Sequence, residues 1–351
     1  MPSTIHRIFR FASVLFLLPL MMLEPVFELK ASSDTHDATI TTLDGKVMLL
    51  TAEQGVGPLV KFDGKSYSLI FPKPGRKVRN GDLLRTFPAA QARIVFNNGD
   101  QVNLVAGSAY QIRWAAGRAP VLTLLQGALR STVEPGGPRE GMTVRSRAAV
   151  MGVRGTEFFV EETGTGAQAR SNFVVLRGKA ELRKLSAAGV ISKPVVVSQG
   201  QVATVVAPET VGAASQSSGA SQGAVTVPLV VQPASKEELG RAEEALKVPA
   251  HGAASGIAPA EVSEEIRDLE KKAVQVVLSD VKVHEPELYK KIEKDSGGRE
   301  ALAHLDPEKL REVQNQAIAD QKVKAPSRPE PETAATPSKP SIEELEKAGE
   351  P

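Results

Sequence analysis

The residues that could do chemistry are few and scattered. The five histidines are His6, His36, His251, His284 and His304, and none falls between residues 40 and 207, where most strand-forming side chains and glycines lie. A Ser–His pair or an imidazole metal site is therefore not expected in that stretch. The chain has no cysteine, which excludes disulfides, thiolate metal sites, thiol nucleophiles and a lipidated N-terminal cysteine. Carboxylates remain. On a strand, Glu157 and Glu161 share one face and Glu162 takes the other, an arrangement open to acid–base work but equally that of a solvated strand end. Gly164-Thr165-Gly166 has the look of a phosphate loop, yet no Lys-Ser or Lys-Thr follows it, and a hairpin tip is expected. Arg145, Arg147 and Arg154 form the densest basic group, either solvated surface or an anion site. Trp114, the single tryptophan, reads as a core or edge plug, with a sugar platform as the alternative. No catalytic residue, cofactor or metal ligand is expected, and the chain is not read as an enzyme.

The elements that must position these groups are strands. Apolar runs at Lys46–Leu50, Ser66–Phe71, Ala92–Phe96, Gln101–Val105, Val121–Leu125, Phe173–Leu176 and Val195–Val197 are separated by Asp-Gly and Asn-Gly turns. Such pairs favour the turns that reverse a strand. No window from 40 to 207 sustains a helical apolar period. Val121–Leu129 and Phe173–Leu182 echo one another, each an apolar strand, a long polar residue, a glycine and a further strand. The most telling stretch is Met151-Gly152-Val153-Arg154-Gly155-Thr156-Glu157-Phe158-Phe159-Val160. It predicts a tight bend at Gly152 and Gly155, then a strand that sends Phe158 and Val160 into the core. The fold class expected is an all-β N-terminal domain of stacked strand–turn units, solenoid-like or a sandwich. A linker and a largely helical and disordered C-terminal tail follow it.

Composition agrees with that division. Of 29 glycines, 20 lie between Gly45 and Gly200, whereas Tyr289 is the only aromatic residue after Glu209. Aromatic and large aliphatic groups supply most of the burial that offsets chain entropy, so the first half is expected to fold and the second to depend on it or on a partner. Residues 1–31 read as a signal peptide or short anchor. Arg7 and Arg10 precede the apolar run 11–23, short for a membrane span, with inner-membrane anchoring through that run as the alternative to cleavage and export to the periplasm. The β-domain is placed at 40–207, a flexible linker at 208–234, a helical arm at 235–323 and a mostly disordered tail at 324–351. Ser235-Lys236-Glu237-Glu238 has capping-box form. Val262, Ile266, Leu269, Ala273 and Val276 have coiled-coil spacing over barely two heptads. The helix at 260–283 is therefore expected either to self-associate weakly or to lie on the β-domain. A net charge of +2 without a basic stripe argues against nucleic acid.

Taken in order, four stretches resemble the FecR domain, named for an iron-dicitrate signalling protein. They are Gly81-Asp82-Leu83-Leu84-Arg85-Thr86, the unit Ala92–Leu104 turning at Asn98-Gly99-Asp100, Leu124-Leu125-Gln126-Gly127-Ala128-Leu129, and Ala148–Phe158. Val175-Leu176-Arg177-Gly178 and Ser198-Gln199-Gly200-Gln201 also look like elements of that family. The positions matching its motifs are Gly81, Asp82, Gly99, Gly127, Gly152, Arg154, Gly155, Thr156, Phe158 and Gly178, and the resemblance implies that they are structural. It further implies an exported, non-enzymatic β-domain that binds other proteins. In founding members that domain listens to an outer-membrane transporter and relays a signal to a cytoplasmic sigma factor. Only about ten residues precede the apolar run, fewer than a sigma-binding region needs, so a stand-alone envelope module that binds proteins, senses a ligand or serves as a scaffold is the expectation. Its partners would be envelope proteins. A membrane-anchored signalling regulator and a glycan-binding or glycan-active protein using Trp114, Glu157 and Glu161 are the alternatives.

Overall fold

In the computed structural model, the described residues are 36–327 except 63, 115–118, 138–140, 165–168, 187–191, 208–228, 246–262, 303–304 and 306. The chain weaves between two sheets. β1 (His36–Asp44) lies in the first sheet, and β2 (Val47–Thr51), β3 (Leu59–Phe62) and β4 (Lys65–Ile70) lie in the second. β5 (Lys77–Arg79) returns to the first and β6 (Leu83–Thr86) to the second. β7 (Gln91–Phe96) and β8 (Gln101–Leu104) are in the first, and β9 (Ala109–Arg113) is in the second. β10 (Val121–Thr132) belongs to both: its first half pairs with β9, and its second half pairs with β8. β11 (Met142–Arg145) and β12 (Ala149–Val153) continue the second sheet, β11 as a parallel neighbour of β10. β13 (Glu157–Thr163) and β14 (Arg170–Arg177) continue the first. β15 (Lys179–Lys184) and β16 (Val195–Ser198) complete the second, β17 (Gln201–Val206) and β18 (Val230–Pro233) the first.

The inner faces of both sheets meet in one core, including Ile40, Phe96, Leu129, Phe158, Val160 and Phe173 from the first and Leu49, Leu84, Ile112, Leu122, Met151 and Leu182 from the second. The expected all-β domain is formed, its strands passing back and forth between two sheets that share this core. Each run read as a strand from its sequence is a strand, and no helix occurs among the described residues from 40 to 207. Phe158 and Val160 do enter the core together, both fully buried. β18 lies within the stretch expected to be linker, so the sheet gains a strand after position 207. The capping box also forms: the Glu238 amide donates to Ser235 Oγ at 3.2 Å and the Ser235 amide to Glu238 Oε2 at 2.6 Å. The tail beyond 327 and the apolar run 11–23 lie outside the described residues.

Every described passage from one sheet to the other turns at a residue with positive φ. Gly155 makes the turn between β12 and β13, Gly178 that between β14 and β15, and Gly127 the switch within β10. Between β6 and β7 the residue is Ala89, with φ of 60°, the one positive-φ residue other than glycine among the described residues. At Gly155 φ is +65°, and an added Cβ would lie 2.6 Å from Pro135 Cα. The bend read at Gly152 is not there. Gly152 sits inside β12, opposite Thr143 and Glu181, with nothing within 4 Å of an added Cβ. Its place in the motif is one residue of regular strand, and Gly155 alone makes the corner.

Among the described residues, five helices follow the sheets: α1 (Lys236–Glu244), α2 (Glu264–His284), α3 (Pro286–Asp295), α4 (Arg299–Leu302) and α5 (Pro307–Lys324). α1 and α2 pack on the outer face of the first sheet. Leu239 and Ala242 of α1 join Phe159, Val174, Leu176 and Val202. Leu269 and Ala273 of α2 sit on Val95, and Val274, Val277, Leu278 and Val281 take the contacts of Ile292, Leu302 and Leu310 from the other three helices. The apolar seam Ile266, Leu269, Ala273 and Val276 is thus buried within its own chain. Of the two expectations for this helix, packing on the β-domain is the one seen among the described residues.

Two variants test the corner. Gly155→Val combines left-handed strain with a backbone clash, each costing about 1–3 kcal/mol, against a total stability of about 5–15 kcal/mol. A urea melt should show the whole β-domain weakened by roughly 3 kcal/mol. Gly152→Val should melt within about 0.5 kcal/mol of the parent. A parent-like melt for Gly155→Val would refute the corner.

Candidate functional site

The residue after the corner carries the most unusual chemistry in the molecule. Thr156 is buried, and its hydroxyl donates to the Lys179 carbonyl at 2.8 Å, tying the corner at Gly155 to the start of β15. Glu157 then opens β13, opposite Arg177 of β14 and Thr132 of β10. It is not a solvated strand end: its side chain is 0% exposed. Because α1 and α2 cover the outer face of the first sheet, even outward-pointing residues there leave water. An isolated ion in such a place costs several kcal/mol, so it needs partners.

Glu157 has two. Arg130 of β10 donates Nε to Glu157 Oε1 at 2.9 Å, and Arg177 forms an ion pair with Oε2 from the other side. Both guanidiniums then reach the helices. Arg130 Nη1 donates to the Ala242 carbonyl of α1 at 2.8 Å. Arg177 Nε donates to Asp280 Oδ2 of α2 at 2.6 Å. Asp280, also fully buried, lies 3.1 Å from His284 Nδ1 one turn later. The result is a relay of alternating charge, Arg130–Glu157–Arg177–Asp280–His284, running from sheet to arm. Burial alone would lower the Arg177 pKa; Glu157 and then Asp280 outweigh it and raise it. Burial pushes Asp280 upward, but hydrogen bonding to His284 and the Arg177 charge bring it below the ordinary carboxylate range. The Asp280 hydrogen bond raises His284.

Histidines are therefore not remote from the β-domain. His36 opens β1, and His284 stacks against the backbone at Gly178, where an added Cβ would lie 3.0 Å from His284 Nε2 and 2.7 Å from the Gly155 carbonyl oxygen. Gly99 marks a second close approach: its added Cβ would come within 2.8 Å of Lys272 O and Val276 Cγ2 of α2. Two motif glycines thus lie where the arm meets the sheet. The remaining motif positions are structural in other ways. Gly81 turns the chain between β5 and β6 with φ of +89°, and buried Asp82 accepts the Arg79 amide at 2.9 Å across that turn. Gly127 passes so close to Ser108 that an added Cβ would sit 2.6 Å from its Cα. Arg154 is exposed on the bend before Gly155.

The other candidate groups are dispersed. Glu161 pairs with Arg241 of α1 at 3.1 Å. Glu162 points to the opposite face, where Ser171 Oγ donates to it at 2.6 Å and the Arg147 amide at 3.1 Å, and burial raises its pKa. Trp114 is 8% exposed and belongs to the core between the sheets, so it is a plug and offers no sugar platform. Arg145, Arg147 and Arg154 are all exposed, as a solvated surface group would be. Thr165 and Gly166 lie outside the described residues, and the strands they join pair antiparallel. Among the described residues, no helix is long and apolar enough to cross a membrane. Sequence reasoning missed Arg130 and Arg177. The one signal for them was an arginine at the end of each of two otherwise apolar strand runs.

Residues 82–181 match the family model described as FecR protein, so the chain carries a FecR domain over that stretch. This bears out the resemblance read from the ordered motifs. Two crystal structures of a "putative anti-sigma factor" from Parabacteroides distasonis ATCC 8503, at 1.65 and 2.50 Å resolution, align at 13% identity with a TM-score of 0.32. The alignment covers 43% of this chain and 59% of that one, and at that score it fixes neither fold nor partner here. No curated protein sequence matches the chain.

Removing one member of the relay strands a buried charge. Arg177→Met should cost about 3–5 kcal/mol, while Arg177→Met combined with Asp280→Leu and Glu157→Gln should cost less than the sum of the single changes. Strict additivity in urea melts would show that the groups are not coupled. The pH dependence has a defined sign. A histidine raised by folding contributes stability that is complete below its unfolded value and fades as pH rises through its folded value. Asp280, lowered by folding, contributes above its unfolded value and loses this as pH falls through its depressed one. Stability should thus decline as pH rises from mildly acidic to neutral and higher in the parent, and His284→Gln should make that decline shallower above the ordinary histidine range.

Proposed function

We propose that this chain is a FecR-type signalling regulator of the cell envelope, acting by binding rather than by catalysis. The observation that carries this reading is the FecR domain over residues 82–181. Its most reactive-looking carboxylate supports the binding role. Glu157 is clamped between two guanidiniums under a helical cover, where no substrate reaches it. The glycan reading drew on Trp114 and on Glu157 with Glu161, and the three side chains are taken up by the core, by Arg130 and Arg177, and by Arg241.

The docked arm gives such a regulator a discrete element to act through. A signal can only shift an equilibrium between two arrangements that differ in contacts, and the relay makes docking of α1 and α2 depend on a handful of named groups. Envelope placement is part of the proposal and rests on the basic residues Arg7 and Arg10 ahead of the apolar run 11–23.

Fractionation of cells making the full chain, together with transcript profiling of cells lacking it, tests the proposal. The expected result is recovery in the envelope fraction and a changed set of transcripts, with Glu157→Gln reproducing the change seen on loss of the chain. Recovery in the cytoplasm would defeat the envelope assignment, and an unaltered transcript profile would defeat the regulator assignment.

A further inference from the structure

On the side away from the relay, a shelf is built from cations and phenyl rings. Lys46, in the turn between β1 and β2, places Nζ 5.3 Å from the ring centre of Phe71 and 4.8 Å from that of Phe87. Arg85 of β6 places its guanidinium carbon 5.4 Å from the same Phe87 ring. Such contacts are attractive because a cation meets the negative face of the ring, and they hold the two long side chains in place. Among the described residues, neither Lys46 nor Arg85 forms an ion pair, and Lys73 close by in sequence is exposed as well. Most of the other ring surface is open: Phe71 is 58% exposed.

The floor of this feature is a cleft of about 420 Å³ lined by Leu43, Gly45, Lys46, Val47, Phe71 and Pro72. Its framework is fixed from behind. The Phe87 amide donates to the Lys46 carbonyl at 3.0 Å, and the Ala90 amide to the Phe87 carbonyl at 3.0 Å. Ala89 holds its positive φ in that turn, and an added Cβ at Gly45 would lie 3.0 Å from the Ala89 carbonyl oxygen. This is the passage between sheets that a side-chain-bearing residue makes, so the turn carrying Phe87 is stiffer than a glycine turn would be.

We propose that this shelf is a docking site for a segment of a partner protein that carries a carboxylate beside an apolar side chain. Two cations held ready without a carboxylate call for an anion, and guanidinium matches a carboxylate in shape as well as charge. The exposed phenyl ring calls for an apolar neighbour. The open form selects a protein over a small ligand: small-molecule sites bury most of their ligand, whereas an arginine and an aromatic ring on an open surface have the make-up of an interface anchor. The inference rests on the binding-module reading above only in taking the domain to have a protein partner. It does not involve the arm or the relay.

The test replaces Phe71 by the photoreactive p-benzoyl-phenylalanine in the full chain, in the cells that make it, and irradiates them. The same residue at exposed Val196 on β16 is the control. The contact peptide is then identified by mass spectrometry. The expected result is a protein adduct at position 71 and not at 196, mapped to a segment with Asp or Glu next to an apolar residue. It should fall at least tenfold in Lys46→Glu with Arg85→Glu and persist in Lys46→Arg. Melting of the charge-reversed chain, compared with the parent, separates lost binding from lost folding. No adduct, an adduct indifferent to charge reversal in a folded chain, a contact segment without a carboxylate, or a lipid or glycan adduct would each overturn the proposal. None of these outcomes changes the transcript profile, so the regulator reading stands or falls separately.

Discussion

The architecture depends on a steric constraint at the places where the chain leaves one sheet for the other. A strand that must turn into a facing layer within one or two residues needs positive φ, which side chains disfavour. The corner at Gly155 shows the consequence most fully. It sits against Pro135 on one side and against Gly178, the next such corner, on the other. The stacked corners fix where β13 and β14 begin and end, and so set Glu157 opposite Arg177. The buried relay is a product of that placement.

The relay in turn decides what the second half of the chain does. A sheet whose outer face is largely apolar, with Phe159, Val174, Leu176 and Val202, would hold almost any amphipathic helix. Buried charges make the choice specific. Arg130 and Arg177 outnumber Glu157 on the sheet, and α2 brings Asp280 to balance them. Such a network adds little net stability compared with an apolar core, but it penalises any helix placed in another register. The glycines at 99 and 178 are the steric half of the same fit, since a side chain at either would push α2 away.

The two faces of the molecule are accordingly different in kind. The outer face of the first sheet is covered by α1 and α2, and its buried charges Arg130, Glu157 and Arg177 are paired within the chain. At the edge where β1 turns into β2, the second sheet presents Lys46 and Arg85 against phenyl rings, with Phe71 open to solvent.

Much of the fold was legible in the sequence. Alternating apolar runs and Asp-Gly or Asn-Gly turns specify strands because the signal is local: period-two burial and positive-φ turns involve neighbours in the chain. The capping box at Ser235 is local in the same sense. The ordered FecR motifs were readable for that reason too, since they mark turns. Tertiary structure alone decided the rest. Gly152 and Gly155 look alike in sequence, yet only the second meets Pro135 at a corner. Glu157 reads as a solvated strand end until α1 and α2 close over it. His284 lies 106 residues after Gly178, and its contact with that corner exists only once the arm docks. Burial, charge pairing and close approach are properties of residues far apart in the chain, and for these the sequence supplies the groups while packing assigns their partners.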